Sequence, residues 1–361
     1  MEIPLPRENL NFISDNNYEK IFIDSYNSNS FHHAWLLTGP KGIGKSTLAY
    51  RFARFILSQN DTQNNNNLFE AISSNQHSLE CTPDDEIYKK IISNSHGDLM
   101  VIELTQDVKG KNKKSISVSE IRKIKPFLSK TSVTGGWKVI IIDSMDEVTF
   151  NAENALLKSL EEPPIKTLVI LISTNPAKLL PTTISRCRKL PMSPLSNKTL
   201  NELLNMYLPN LESGDEKVLS LLSTGSIGNA LNLYENDGVK VFKELINLYS
   251  NLPSINVGII NKLSEEWAKD NLFKLSIELI CWWISRIIKF KAQNNFSEYE
   301  EVVTGDKKIS KNISNLINLE ELLNILENIR TKYNKVNSLN LDKRNIVFTS
   351  LMELPNSMIK K

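Results

Sequence analysis

Cysteine is scarce: three residues in 361, Cys81, Cys187 and Cys281, lie far apart with no C-x-x-C pair. That argues against a disulfide framework or a four-thiolate zinc site, and for a reducing, cytoplasmic compartment. Surplus charge is also missing, the formal net charge being +2. A strongly basic, dedicated nucleic-acid binder is thereby disfavoured, though a local basic face is not. Nor is there an unbroken apolar run fit to span a membrane. The most apolar stretch, "LFKLSIELICWWISRIIKF", is interrupted by Lys274, Glu278 and Arg286 at the intervals of an amphipathic helix. The opening "MEIPLPRENLNF" has acids and two prolines but no apolar core, so it does not read as a signal peptide. An apolar content of 40% with 23% charged residues is instead that of a soluble chain with sizeable cores. The length suits two or three domains of about 100–200 residues each.

Short apolar segments alternate with helical ones through the first half. Strands are expected at "AWLLTG" (34–39), "DLMVIEL" (98–104), "KVIIID" (138–143), "TLVILIS" (167–173) and "CRKLPM" (187–192). Their continuous Ile, Val and Leu content is that of parallel strands covered on both faces. "KSTLAYRFARFIL" and "NAENALLKSLEE" read as helices, the second with Ala152, Ala155, Leu156 and Leu160 on one face. Such alternation predicts an open α/β sheet with flanking helices over residues 1–192. After Met192 the strands stop. A small helical group is expected over 193–240 and longer helices over 241–361, with the seam at the "NDG" turn ending in Gly238 and Pro253 the next candidate. "SQNDTQNNNN" (58–67) reads as a low-complexity loop, and "LTQDVKGKNKKSIS" (104–117) as a solvated loop whose four lysines are a weaker candidate for DNA contact.

"GPKGIGKS" follows the first strand and opens a helix, the setting of a phosphate-binding loop. Gly39, Gly42 and Gly44 let backbone N–H groups curl around a polyphosphate, with Lys41 inside the turn. Lys45 brings a cation to the phosphate oxygens, Ser46 offers a hydroxyl to magnesium, and Thr47 follows. The plainer alternative is a glycine turn joining strand to helix without a ligand. A second strand, "VIIID", ends in Asp143, the expected magnesium-side carboxylate. Many ATP-driven motors place a water-activating glutamate next, where this chain has Ser144. Asp146 and Glu147 read as helix-start acids, not as replacement bases. Hydrolysis by this chain is therefore expected to be weak or absent.

Two more stretches, "NAENALLKSLEEPP" (151–164) and "TNPAKLLPTTISRCRKL" (174–190), join "HHAWLLTGPKGIGKSTLAYRFA" in a specific pattern. The chain resembles the AAA+ clamp-loader subunits of bacterial DNA polymerase III. The resemblance covers most of the length, extending more weakly to "VNSLNLDKRNIV" (336–347). Within the group it is similar to the delta-prime type more than to the hydrolysing gamma/tau type. Gamma/tau chains carry the glutamate that Ser144 lacks. They also carry a lid arginine where "GSIGNAL" (225–231) has Gly228; they and many delta-prime chains carry a four-cysteine zinc module where this chain has only Cys81, His77 and His96. No zinc is expected. The intact phosphate loop departs from some delta-prime chains, so ATP or ADP with magnesium is an expected ligand.

The resemblance implies an AAA+ domain (1–192), a helical lid (193–240) and an oligomerisation collar (241–361). Arg186, in "SRC", would be an arginine finger acting in trans on a neighbouring ATPase. A surface arginine paired to a local acid is the plainer alternative. Thr174 and Asn175 stand where a polar sensor would meet the γ-phosphate, or else form a plain strand-end turn. Trp267, Trp282 and Trp283 would serve either a collar of subunits or the chain's own core. Implied partners are gamma/tau-like and delta subunits, and through them the sliding clamp and primer-template DNA. The competing functions are a hydrolysing gamma/tau-type motor and, from another class, a small-molecule P-loop kinase, which would leave "LLKSLEEPP" and "SRC" unexplained.

Overall fold

A computed structural model describes residues 4–28, 31–59, 79–104, 113, 115–133, 135–252, 254–339 and 341–359. His77, Pro253, most of the asparagine-rich stretch and most of the lysine-rich one lie outside these residues. The chain divides into two compact units, Met1–Tyr207 with Gly225–Gly228, and Leu208–Thr224 with Asn229–Lys361.

The first unit is built on five parallel strands: β1 (Ala34–Thr38), β2 (Leu99–Glu103), β3 (Lys138–Asp143), β4 (Thr167–Ser173) and β5 (Arg188–Pro191). They stand in the order β2-β3-β4-β1-β5. The register places Val101 beside Ile141, Ile141 beside Ile170, Leu36 beside Leu171, and Trp35 beside Arg188. Successive strand residues point to opposite faces. Trp35, Leu37, Val139, Ile141, Leu168 and Ile170 accordingly join one core, and Leu36, Ile140, Ile142, Val169 and Leu171 the other. Both faces are dry, which is why these strands lack polar alternation.

Helices α1 (Tyr18–Asn27) and α2 (Lys45–Ser58) cover the first face, where the Phe22 and Phe52 rings stack 3.8 Å apart. Short helices α3 (Glu86–Ile92), α4 (Val118–Ile121) and α5 (Ile124–Ser129) also belong to this unit. The other face is covered chiefly by α6 (Phe150–Glu161), which buries Ala152, Leu156 and Leu160, with Ala155 packed beside them. Each of the two leucines contributes about 1.5–3 kcal/mol by burial. Then come α7 (Pro181–Ser185) and α8 (Asn197–Tyr207). The five strands, both long helices and this topology are the expected α/β P-loop fold.

The second unit is helical: α9 (Ser213–Ser223), α10 (Ile227–Glu235, whose first two residues belong to the first unit), α11 (Gly238–Leu248), α12 (Val257–Trp267), α13 (Asp270–Ala292), α14 (Asp306–Leu316), α15 (Leu319–Leu339) and α16 (Lys343–Ile359). Helix α13, the most apolar stretch of the sequence, packs against α11, α12, α14, α15 and α16. Trp267 and Trp283 are buried in this core, which resolves two of the three tryptophans toward internal packing; Trp282 is half-buried. Trp283 donates its indole N–H to the buried Asp306 at 2.9 Å, Tyr299 donates to the same oxygen at 2.8 Å, and Arg286 lies 4.1 Å over the Tyr299 ring. A buried carboxylate is tolerable only with such donors around it. Among the described residues, no helix is long and apolar enough to cross a membrane.

Candidate functional site

The carboxyl end of β1 runs straight into the glycine loop, and the loop into α2. Gly39, Gly42 and Gly44 all have positive φ, and Gly44, at φ +97°, is the N-cap residue of α2. A Cβ at Gly44 would be strained and would sit 3.2 Å from the Phe12 ring, so only glycine suits this turn. The first N–H groups of a helix have no intrahelical acceptor, and they face the concave side of such a loop. Phe12 belongs to an N-terminal strap. Arg51 on α2 donates to the Leu10 carbonyl and pairs with Glu19, and Arg54 donates to the Asn9 carbonyl at 2.8 Å.

Lys45 is buried, and its ammonium donates to the carbonyls of Gly39 at 2.8 Å and Pro40 at 2.5 Å. Burial lowers its pKa to about 8, against the opposing pull of Asp143 and Asp146. Ser46 donates its hydroxyl to Asp143 Oδ2 at 2.5 Å. Burial pushes the Asp143 carboxyl up, opposed by that hydrogen bond and by Lys45. One hydroxyl and one carboxylate meeting beside a lysine form a hard-oxygen donor set of the kind that suits magnesium with a phosphate. Thr47 follows in the first turn of α2. The residues present therefore fit a magnesium nucleotide.

The backbone of the loop is also held from residues 225–228. Ser226 donates its hydroxyl to the Lys41 carbonyl at 2.8 Å, and the Gly228 amide donates to the Gly42 carbonyl at 2.8 Å. A Cβ on Gly228 would lie 2.8 Å from Gly42 Cα. The position at which the gamma/tau pattern has an arginine is thus pressed against the loop backbone, with no room for a side chain. Lys41 itself is exposed.

Beyond Asp143 the chain makes a 3-10 turn, Met145–Glu147, with Ser144 as its N-cap; the Ser144 hydroxyl accepts from the Asp146 amide at 3.1 Å and donates to Asp146 Oδ2 at 3.0 Å. Position 144 is therefore occupied by a capping hydroxyl. Asp146 does more than start a helix. It accepts from the Thr174 amide (2.6 Å), the Thr174 hydroxyl (2.8 Å), the Ser173 hydroxyl (2.8 Å) and the Asn175 amide (3.1 Å). Burial alone would raise its pKa, but these donors outweigh it and bring it down to about 2. Asp146 ties the turn after β3 to the end of β4, and both Thr174 and Asn175 are fastened to it. The sequence gives no hint of this, because the donors lie 27–29 residues away.

Arg186 lies at the other end of the sheet. It caps the C-terminus of α7 and leads into β5, which begins with Arg188 beside Trp35, whereas the loop starts past Thr38, beside Pro191. Its guanidinium pairs with Glu161 at 2.5 Å and donates to the Thr182 carbonyl at 2.9 Å; the side chain is 33% exposed. The local acid foreseen as the plainer alternative is thus present. Cys187, beside it, is buried and packs in the core of the second sheet face. Burial pushes its thiol up to about 12, which makes it an unreactive packing residue.

A family model described as "DNA polymerase III, delta subunit" matches residues 14–196, just over half of the chain. DNA polymerase III subunit delta' of Pseudomonas aeruginosa is 30% identical over 260 residues, covering 72% of each chain. The chain belongs to the DNA polymerase III delta-prime family. A second delta-prime relative, from Bacillus subtilis, is 30% identical over 218 residues, 60% of this chain and 58% of that one. DNA polymerase III subunit gamma of Buchnera aphidicola subsp. Schizaphis graminum is 32% identical over 247 residues, 67% of this chain and 61% of that one. Identity alone therefore does not part delta-prime from gamma; the residues at 144 and 228 bear on that difference.

Proposed function

We propose that this chain is a delta-prime-type clamp-loader subunit. It would assist ATP-dependent loading of a sliding clamp on primer-template DNA by presenting Arg186 to the nucleotide site of a neighbouring gamma/tau-like ATPase, while hydrolysing little or no ATP itself. One observation carries the reading: the phosphate loop and Arg186 occupy opposite ends of the same sheet. A rigid side chain at one end cannot serve a phosphate at the other, so Arg186 would act on another subunit's nucleotide. Guanidinium, with its fixed fork of N–H donors, suits the spread charge of a transferring phosphoryl group, and such arginines contribute about 10³–10⁵ in rate.

Gly39, Gly42, Gly44, Lys45 and Thr47 would hold ATP or ADP, with Ser46 and Asp143 on magnesium; when bound, that ion neutralises phosphate charge. Ser144 supplies no base, and the Asp146 carboxylate is saturated with donors, so water would lack an activating group. Zinc has no place in this proposal. Cys81 donates its thiol to Asp85 at 2.9 Å, and burial together with that carboxylate pushes it up to about 12. Residues 193–240 would act as lid and 241–361 as collar toward the gamma/tau-like and delta subunits, in the cytoplasm.

The likeness to gamma subunits and the intact loop favour one second reading, a hydrolysing motor. The purified chain separates the two. Saturable ATP binding with fewer than one turnover per molecule supports the delta-prime-type role, whereas steady multiple turnover supports the motor.

A further inference from the structure

Helix α7 is fastened to α6 at both ends, and this bears on Arg186 if that residue acts as proposed above. At the near end, the Leu180 amide donates to the carboxylate of Glu153, a buried residue of α6, at 2.8 Å. At the far end, Glu161, the last residue of α6, takes the Arg186 guanidinium at 2.5 Å. The two glutamates are eight residues apart, about 12 Å along the helix axis. Helix α6 is itself immobilised between them. Leu156 and Leu160 are buried, and the Leu160 carbonyl is joined to His33 Nε2 at 2.8 Å, beside the start of β1.

We propose that Glu161 is a positioning residue for Arg186. An exposed arginine has many rotamers, and selecting one at the moment of contact with a phosphate costs entropy. The Thr182 carbonyl takes one guanidinium N–H and the Glu161 carboxylate pairs with the charge beside it, restricting the fork before any partner arrives. A guanidinium has five N–H donors, one of which goes to Thr182, so others are left for the anionic oxygens of a nucleotide on the neighbouring subunit. The carboxylate also competes with phosphate for the same cation. Preorganisation outweighs that competition because a half-exposed pair is weakened by water and yields readily to a phosphate.

The test uses the reconstituted loader with full-length chain, measuring DNA-stimulated ATP hydrolysis per assembled complex. Glu161→Ala is expected to slow the maximal rate about two- to fivefold, the factor corresponding to loss of one exposed ion pair, with the half-saturating ATP concentration unchanged. Glu161→Gln, which keeps a hydrogen-bond acceptor, is expected to fall between Ala and wild type, and it keeps the test open if the alanine variant does not assemble. Glu161→Ala added to Arg186→Ala is expected to change nothing further. Wild-type or faster rates for both Glu161 variants, beside a slow Arg186→Ala, would overturn the positioning role alone; so would additive losses in the double variant. An Arg186→Ala complex as fast as wild type would instead overturn the finger role beneath it.

Discussion

At position 144 a hydroxyl accepts the Asp146 amide and donates to its carboxylate, and through Asp146 it is joined to Ser173, Thr174 and Asn175. The side chain standing where motors place a base is thus part of a hydrogen-bonded turn. Asp146, held near pKa 2, favours the folded state in its charged form. Its contribution is full above the ordinary carboxylate pKa near 4 and is lost as pH falls from about 4 toward 2. Asp146→Ala is expected to lower stability by about 1–2 kcal/mol at neutral pH, less than a fully buried charged acceptor because water reaches it. The same variant should flatten the acid limb of the unfolding midpoint against pH; an unchanged limb would show that the carboxylate is not the anchor. Lys45 titrates in the opposite sense. With its pKa near 8 in the free chain, and raised by any phosphate that it meets, nucleotide affinity should be level below pH 8 and fall as pH rises above it. An ATP titration at pH 7, 8 and 9 checks this. Lys45→Arg should bind with little pH dependence, and a flat wild-type profile would mean that Lys45 does not contact the phosphates.

The elements were largely legible in the sequence. "KVIIID" and "TLVILIS" form β3 and β4 over their whole length, because a strand dry on both faces is continuously apolar between its ends. Helix α6 followed from its period, and the glycine loop from its spacing. What could not be read are links between distant segments: Asp146 to the end of β4, Arg51 and Arg54 to the N-terminal strap, Glu153 to Leu180. Their donors and acceptors are ordinary polar residues without local spacing. Residues 225–228 are a case where a sequence contrast acquired a physical meaning. Gly228 stands where the gamma/tau pattern has an arginine, and in the fold it is a backbone-to-backbone contact on Gly42. Gly228→Ala would force Cβ to 2.8 Å from Gly42 Cα and require a shift. It is expected to cost about 1–3 kcal/mol, the usual range for overpacking, read by chemical denaturation. A cost near zero would mean that the loop yields freely there.

Across the whole molecule, the chain combines a sheet unit with two chemically distinct ends and a helical unit with its own tryptophan-centred core. The glycine loop at one end of the sheet brings Lys45, Ser46 and Asp143 together, with Ser144 and Asp146 bonded to each other just beyond. The other end has an arginine braced by a glutamate, with no phosphate loop of this chain beside it. Such a division of labour is what the proposed role requires; on that proposal ATP hydrolysis would be left to neighbouring chains. The most direct test is the DNA-stimulated ATPase rate of a reconstituted loader carrying Arg186→Ala, with assembly verified by size. A drop of about tenfold or more at unchanged assembly is the result predicted for an arginine acting in trans. A wild-type rate in the assembled variant would contradict it, leaving Arg186 as a surface partner of Glu161.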